Sequence, residues 1–255
     1  MTTADPSTAP QLATDPVVEP REQVYVWDVV VRATHWFIAL SLLLLSITGI
    51  YLGRPYLIVS GPAGEHFVMG TIRTIHNYGA IVFSLSVLAR IVWMFTGPRH
   101  ARWWNFVPVT RVRRKQFIGT VLFYTFLRPR PPAVVGHNPV AGASYVAVFG
   151  LYLTMIATGL GLYAASAHVD SPFAHFSFLL AVFGGAQMAR FIHHVVMWLL
   201  IGFFVHHLYS AILMAVTEKN GVIDSIFSGN KWLLKHEAEQ ERAAQRRYDE
   251  VGGRE

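Results

Sequence analysis

Four histidines lie within one apolar stretch, residues 190–209, near the C-terminal end of the chain. Ionisable side chains are costly inside a bilayer and usually mark functional positions there. His193 and His207 are fourteen residues apart. On an α-helix this spacing returns them to within about 40° of one face and separates them by about 21 Å. His194 and His206 point elsewhere, so one helix face presents two imidazoles at opposite membrane depths.

Paired imidazoles at two depths suggest metal chemistry. Imidazole is a common axial ligand of haem iron, and a four-helix bundle holding two haems needs one helix to offer a ligand to each. The alternative is that these histidines are hydrogen-bonded structural residues. Two histidines on the same helix face favour the interpretation that they are metal ligands. The chain has no cysteine, which excludes disulfides, iron–sulfur clusters, thiolate metal sites and a cysteine nucleophile within it.

The composition indicates an integral membrane protein. Of the 255 residues, 53% are hydrophobic and 14% are charged, whereas a soluble domain has about 25% charged residues. The mean hydropathy is +0.38 and the pI is near 9.7. Because the basic residues lie mostly in loops between apolar runs, membrane topology explains them better than nucleic-acid binding does, and no nucleic acid is expected as a partner.

Four apolar segments are long enough to cross a bilayer. They predict an all-α membrane protein, a four-transmembrane-helix bundle with haems between the helices, with spans near residues 32–52, 72–95, 144–165 and 190–216. Thr154 and Thr158 in the third span are expected to hydrogen-bond within the bundle.

Three regions follow from this reading. Residues 1–23 form a proline-rich tail, predicted to be disordered and to contain no cleavable signal peptide. Residues 24–217 form the transmembrane domain. Residues 218–255 form a polar C-terminal tail that is partly helical, with a charged, exposed helix expected at 232–248.

The charges of the loops predict the orientation of the bundle. The connection between the second and third spans has no acidic residue and eight basic ones: Arg99, Arg102, Arg111, Arg113, Arg114, Lys115, Arg128 and Arg130. The other two loops carry only Arg54, Arg73 and Arg190. Four spans put both termini on the side of the basic loop, so the positive-inside rule predicts cytoplasmic termini.

Two loop segments are expected to contact the membrane surface. Within the basic connection, residues 111–127 predict a helix lying on the membrane. In the last loop, the apolar stretch 173–187 predicts either an interfacial segment or a docking surface. Residues 136–139 are expected to form a turn.

This topology also predicts which histidines share a depth. His76 and His193 fall near the outer face and form the outer pair, while His35 and His207 lie in the cytoplasmic half and form the inner pair, with a poorer match in depth. Two imidazoles per iron leave no open position. Each iron would therefore carry single electrons without binding oxygen.

An arginine precedes three of these histidines by three residues, on the same helix face and one turn toward the water. These residues are Arg32, Arg73 and Arg190. Each could bind a haem propionate, and the alternative for each is an ordinary interfacial arginine.

Two further residues lie fourteen positions after a histidine and so share its face. Gly49 follows His35 in this way, and without a Cβ it would let a flat macrocycle approach the backbone; close helix packing is the alternative. Arg90 follows His76, and it is predicted either to bind a propionate or to extend to the interface.

Several ordered motifs together resemble a known family, the cytochrome b subunit of membrane-bound nickel–iron hydrogenases. The resemblance extends from about Tyr25 to Ser228. It is carried by Arg32-Ala33-Thr34-His35-Trp36, Leu45-Ser46-Ile47-Thr48-Gly49, Arg73-Thr74-Ile75-His76, Gly136-His137-Asn138-Pro139 and the set His193, His194, Trp198, Phe203 and His207.

The resemblance implies the following function. The four ligand positions are His35, His76, His193 and His207, which bind two b-type haems. The subunit anchors the hydrogenase small and large subunits at the periplasmic face of the cytoplasmic membrane. It takes electrons from their iron–sulfur relay to membrane quinone, as an electron-transfer subunit of a respiratory hydrogen:quinone oxidoreductase that does not itself activate hydrogen.

Two alternatives stay open at this stage. A sister cytochrome b, such as that of a formate dehydrogenase, would share the four-helix plan. A haem-free transporter or membrane scaffold belongs to another class, and it predicts helices interrupted at the membrane midplane. The spans contain no such Gly or Pro interruption.

Overall fold

The computed structural model describes residues 20–56, 67–106, 111–130, 139–168, 170–218 and 221–250. In chain order its strands and α-helices are β1 (Arg21–Tyr25), α1 (Val29–Gly53), α2 (Val68–Thr96), α3 (Arg111–Tyr124), α4 (Pro139–Ala164), α5 (Phe178–Val182), α6 (Ala186–Glu218), α7 (Val222–Ser228), β2 (Asn230–Leu234) and α8 (Lys235–Glu250). Short 3-10 helices occupy Arg99–Ala101, Trp103–Asn105 and Pro172–Ser177.

Helices α1, α2, α4 and α6 are each long and apolar enough to cross a membrane. They confirm the four predicted spans and the all-α membrane bundle. Each helix extends past at least one predicted end, because its flanking turns continue the backbone hydrogen bonds beyond the apolar core.

A local cap determines where the first span begins. The Asp28 side chain accepts a hydrogen bond from the backbone N–H of Val31 at 3.0 Å, which satisfies one free donor of the first turn. The other carboxylate oxygen accepts from Trp93 Nε1 at 3.0 Å. The beginning of α1 is therefore held beside the end of α2, and the two helices run antiparallel.

The bundle consists of two antiparallel helix pairs, α1 with α2 and α4 with α6. Buried side chains from all four helices meet between the pairs, including Leu45, Val87, Phe149 and Leu200. The outward faces carry many exposed apolar side chains. Lipid chains can cover these faces, because the apolar surface of a membrane helix does not need to be buried within the protein.

The two ends of the described chain meet in a small antiparallel sheet. β1 pairs with β2, with Arg21 opposite Leu234 and Tyr25 opposite Asn230. Arg242 on α8 adds an ion pair with Glu22 at 2.7 Å. This sheet and helices α7 and α8 form a cap on the side of the bundle that holds both termini.

The cap corrects two sequence predictions. Residues 21–23 were assigned to the disordered tail, yet they belong to β1; residues 1–19 lie outside the described residues. The C-terminal helix was expected from residue 232, but 232–234 belong to β2 and α8 begins at Lys235. Each five-residue strand is too short to be identified locally, and its backbone hydrogen bonds depend on a partner about 200 residues away.

The loop segments also differ in detail from the predictions. α3 ends at Tyr124, three residues before the predicted end, and Phe126 takes a left-handed conformation with φ 61°. The predicted turn at 136–139 lies outside the described residues up to 138, and Pro139 is the first residue of α4, a position that suits proline. The apolar stretch after α4 folds into the 3-10 helix and α5.

Candidate functional site: two histidine pairs

The inner histidines approach each other across the bundle. His35 on α1 and His207 on α6 have ring centroids 6.2 Å apart, with planes inclined by 53°. Two imidazoles that bind one metal ion from opposite sides, at about 2 Å each, have ring centres about 6 Å apart. The separation therefore suits one metal ion between the rings, although the sequence suggested a poorer depth match for this pair.

The surroundings of the inner pair leave one ring nitrogen unsatisfied. Within the described part of the chain, His35 Nδ1 is buried and has no hydrogen-bond partner. Trp36 contacts the same ring edge-on at 5.3 Å, and Phe203 stacks on His207 at 5.7 Å. A buried unpaired nitrogen is costly. The site is thus suited to a bound group that the chain itself does not provide.

Two threonines orient the outer histidines. Thr48 Oγ1 on α1 lies 2.8 Å from Nδ1 of His76 on α2, and Thr158 Oγ1 on α4 lies 2.8 Å from Nδ1 of His193 on α6. Each hydroxyl also lies within hydrogen-bond distance of a carbonyl of its own helix, Leu44 at 2.8 Å and Thr154 at 2.7 Å.

This double contact favours one protonation state of each ring. A hydroxyl has one proton to donate, and the helix carbonyl can only accept. The arrangement that satisfies both contacts has each threonine donating to the carbonyl and accepting from the histidine, whose Nδ1 then carries the proton. Nε2 of each ring is left with a free lone pair, which is the form that binds a metal ion.

A glycine follows each of these threonines and lies against the same histidine. A Cβ at Gly49 would be 3.5 Å from Cε1 of His76 and 3.5 Å from Sδ of Met197, which is one turn from His193. A Cβ at Gly159 would be 3.2 Å from Cε1 of His193, closer than ordinary contact. Gly49 therefore lies beside His76 of the outer pair, and its contact with a macrocycle remains a prediction.

The threonines and Gly159 were not predicted as site residues. The signal was available, since a Thr-Gly dipeptide occurs near the far end of both the first and the third span. Thr158 was expected to hydrogen-bond within the bundle, and it does so, but its histidine partner could not be known before the helices were packed.

The arginines that precede the histidines have different environments. Arg32 donates through Nη1 to the Phe227 carbonyl of α7, while its Nε is buried and has no partner within the described residues. Arg73 is exposed. Arg190 is exposed and donates to Gln187 Oε1 at 3.1 Å. Their propionate contacts remain predictions.

The burial of Arg90 excludes one of the two roles expected for it, and its contact with a propionate remains a prediction. Arg90 is only 2% exposed, so it does not extend to the interface. Its two terminal nitrogens each lie 3.4 Å from the Ala101 carbonyl, and its guanidinium lies 5.7 Å from the ring of Phe106 and 5.3 Å from that of Tyr145. A loop carbonyl and two aromatic faces accommodate its charge. Burial of Arg90 therefore does not require a propionate.

Each histidine pair offers two imidazoles, and the described residues contain no group of three or more His, Cys, Asp or Glu side chains that could hold a metal ion. A metal bound by only two imidazoles needs its remaining ligands from a non-protein group. Porphyrin supplies four in a plane and leaves two axial positions. The donor set therefore fits haem, and the bundle has the architecture of a membrane-spanning cytochrome.

Comparison with known proteins agrees with this class. The family described as "Prokaryotic cytochrome b561" matches residues 26–229, and the chain belongs to this family. Because these are b-type cytochromes, the cofactor is haem b, as predicted. The haem-free transporter or scaffold considered from the sequence is thereby set aside.

Several relatives are similar to this chain over most of their own length. A "Probable Ni/Fe-hydrogenase B-type cytochrome subunit" of Bradyrhizobium diazoefficiens is 36% identical over 218 residues, which cover 83% of this chain and 87% of the relative. The "Probable Ni/Fe-hydrogenase 1 B-type cytochrome subunit" of Escherichia coli K12 is 36% identical over 210 residues, covering 80% and 89%. A Cupriavidus necator relative with the former name is 34% identical over 208 residues, covering 80% and 85%. These matches confirm the resemblance found in the sequence.

Proposed function

We propose that this chain is the electron-carrying membrane subunit of a nickel–iron hydrogenase, binding two haems b and connecting the periplasmic enzyme to membrane quinone. The observation that carries the proposal is the arrangement of two histidine pairs at opposite depths of one bundle. His193 and His207 belong to the same helix, with about 21 Å of rise between them. With one pair at each depth, an electron that crosses the membrane through this subunit travels in shorter steps.

The residues of each pair have defined roles in this proposal. His35 and His207 hold one haem, and His76 and His193 hold the other. Haem held by these histidine pairs would supply one-electron transfer without oxygen binding. Thr48 and Thr158 fix the tautomer and orientation of the outer rings, which is the usual task of groups behind a metal ligand.

The redox partner must be another subunit. Without cysteine the chain cannot hold the thiolate-bound clusters through which hydrogen-derived electrons travel. The names of the relatives favour hydrogenase over formate dehydrogenase as that partner. At the outer end, Phe173, Phe178 and Val182 are exposed. They offer an apolar surface to the small subunit, beside the outer pair.

Quinone is proposed to react near the inner pair, on the side of the basic loop. The aromatic rings of Trp36 and Phe227 lie 4.8 Å apart there, next to His35. Flat aromatic surfaces suit a quinone ring. With the basic segments on the same side as the termini, this end of the bundle faces the cytoplasm across the inner membrane.

The proposal is tested on the purified complex with its hydrogenase partner. A reduced-minus-oxidised spectrum with a haem assay should give two haems per chain. His35→Ala should stop hydrogen-dependent quinone reduction while hydrogen oxidation with a soluble dye continues, because the dye bypasses the membrane subunit. If the dye reaction were lost and quinone reduction persisted, the electron-transfer role would be wrong.

A further inference from the structure

A cavity of about 360 Å³ lies in the cap, away from both histidine pairs. It opens between the segment that follows α2 and the last two turns of α8. Its lining residues are Arg99, Trp104, Ala244, Arg247 and Tyr248. None of these described lining residues is acidic, and the electron-transfer function proposed above does not use the cavity.

Arg99, which lies on the side of the cavity formed by the segment after α2, is held in place by an ion pair. Arg99 Nη1 lies 2.6 Å from Glu241 Oε1, and His100 Nε2 lies 3.0 Å from the same oxygen. The carboxylate is largely buried, with 8% of its side chain exposed. Arg99 therefore has a fixed orientation, with part of its charge balanced by Glu241.

Two further guanidinium groups add positive charge. Arg102 donates through Nε to the Gly97 carbonyl at 2.8 Å, and its guanidinium lies 5.1 Å from the centre of the Trp104 ring. Arg247 is exposed at the rim. Arg99 and Arg247 line the cavity and Arg102 lies beside it, against Trp104, so this part of the cap favours an anion. Arginine donors match the oxygen atoms of a phosphate group, which they can bind in pairs.

The position in the fold indicates the source of the anion. Helix α2, a membrane span, ends at Thr96, and Trp103 and Trp104 follow within eight residues. Trp103 is 47% exposed. Tryptophan is enriched where the hydrocarbon core meets the headgroups. The cavity therefore lies at headgroup depth, with two aromatic side chains, Trp104 and Tyr248, facing its interior.

From these contacts we propose that the cavity binds the phosphate group of an anionic phospholipid from the leaflet on the side of the termini. The guanidinium groups bind the phosphate oxygens, and Trp104 and Tyr248 contact the glycerol region. The bound lipid connects the segment after α2 with α8. A soluble phosphate ester presents the same oxygen atoms, so the test separates the two sources.

The test compares neighbouring arginines of one helix. Arg247→Gln removes a cavity guanidinium, whereas Arg246→Gln makes the same change at an exposed residue that does not line the cavity. The full chain in detergent is titrated with phosphatidylglycerol or phosphatidylcholine, and bound lipids are counted by native mass spectrometry. Loss of one charged hydrogen-bond partner should weaken phosphatidylglycerol binding about tenfold in Arg247→Gln, with Arg246→Gln close to the parent chain.

A second variant and a competition experiment complete the design. Arg102→Gln should also weaken phosphatidylglycerol binding, and Arg247→Lys should recover part of it because charge is kept. Equal binding of the two lipids, or equal effects of Arg246→Gln and Arg247→Gln, would overturn the proposal. Full displacement of phosphatidylglycerol by inorganic phosphate would overturn the lipid as ligand and assign the cavity to a soluble phosphate group.

Discussion

Replacing Thr48 by valine should weaken the outer haem site without changing either of its proposed ligands. Valine keeps the shape of threonine but removes the oxygen that accepts from Nδ1 of His76. Nδ1 of His76 then either keeps its proton without a hydrogen-bond partner or loses it. If the proton moves to Nε2, the lone pair that could bind a metal ion is no longer free. Either outcome disfavours metal binding by His76.

The magnitude follows from the burial of the contact. Thr48 is buried, so water cannot readily replace the lost acceptor. An unpaired buried donor costs about 1–3 kcal/mol, and loss of a group behind a metal ligand typically costs about 10–100-fold in affinity. The hydrogen bond also makes imidazole a stronger donor, which favours oxidised iron. Its loss should raise the outer potential, by about 59 mV for each tenfold difference between the two oxidation states.

The assay is a redox titration of the purified chain together with a haem count after dilution into haem-free detergent. Thr48→Ser keeps a hydroxyl and should behave like the parent chain. Thr154→Val is the matched control, because Thr154 is half-buried and its hydroxyl donates to the Gly150 carbonyl of its own helix, at 2.9 Å. If Thr48→Val and Thr154→Val gave the same potentials and the same haem retention, the tautomer argument would fail.

Three further predictions concern the ligands, the topology and the cap. His76→Ala should remove the outer haem, while His194→Ala should leave two haems per chain; the reverse result in a haem assay would refute the phase argument. A reporter fused to the C-terminus should be active in the cytoplasm, and activity only in the periplasm would contradict the proposed orientation. Burial raises the pKa of Glu241, but hydrogen bonding to His100 and the charges of His100 and Arg99 outweigh it, so the net pKa is lowered. The stabilisation is therefore complete above the ordinary value of 4.5 and lost as the pH falls through the lowered pKa; the protection factors of the β1 amides, taken relative to the intrinsic exchange rate at each pH, should fall in acid, and an equal fall in Glu241→Gln would exclude this carboxylate as the cause.

Much of the architecture follows from local properties of the sequence. A run of about twenty apolar residues must form a helix in a bilayer, because every backbone polar group needs a partner within the segment. The four spans were predictable for this reason. The fourteen-residue spacing of His193 and His207 likewise determines their common face through helix geometry alone. The antiparallel order of the spans then sets which histidines share a depth, and His35 does meet His207.

Other features depend on which helices become neighbours. The proton on His76 Nδ1 is set by Thr48 of a different helix, and the surroundings of Arg90 are set by Phe106 and Tyr145, which come from a loop and another span. Spacing along one helix contains no information about such contacts. This is why the sequence could not predict that the Ala101 carbonyl and two aromatic rings surround Arg90.

The cap, formed by the two ends of the described chain, likewise could not be predicted from the sequence. Neither β1 nor β2 has enough residues to specify a strand, and each gains its hydrogen bonds only when the bundle brings the two ends together. The sequence by itself determined the spans, their order and the depth of the histidines, because these depend on hydrophobic length and helical phase. The tertiary structure alone decided the threonine contacts of the outer histidines, the environment of Arg90 and the closure of the cap, because each is a contact between segments that are distant along the chain.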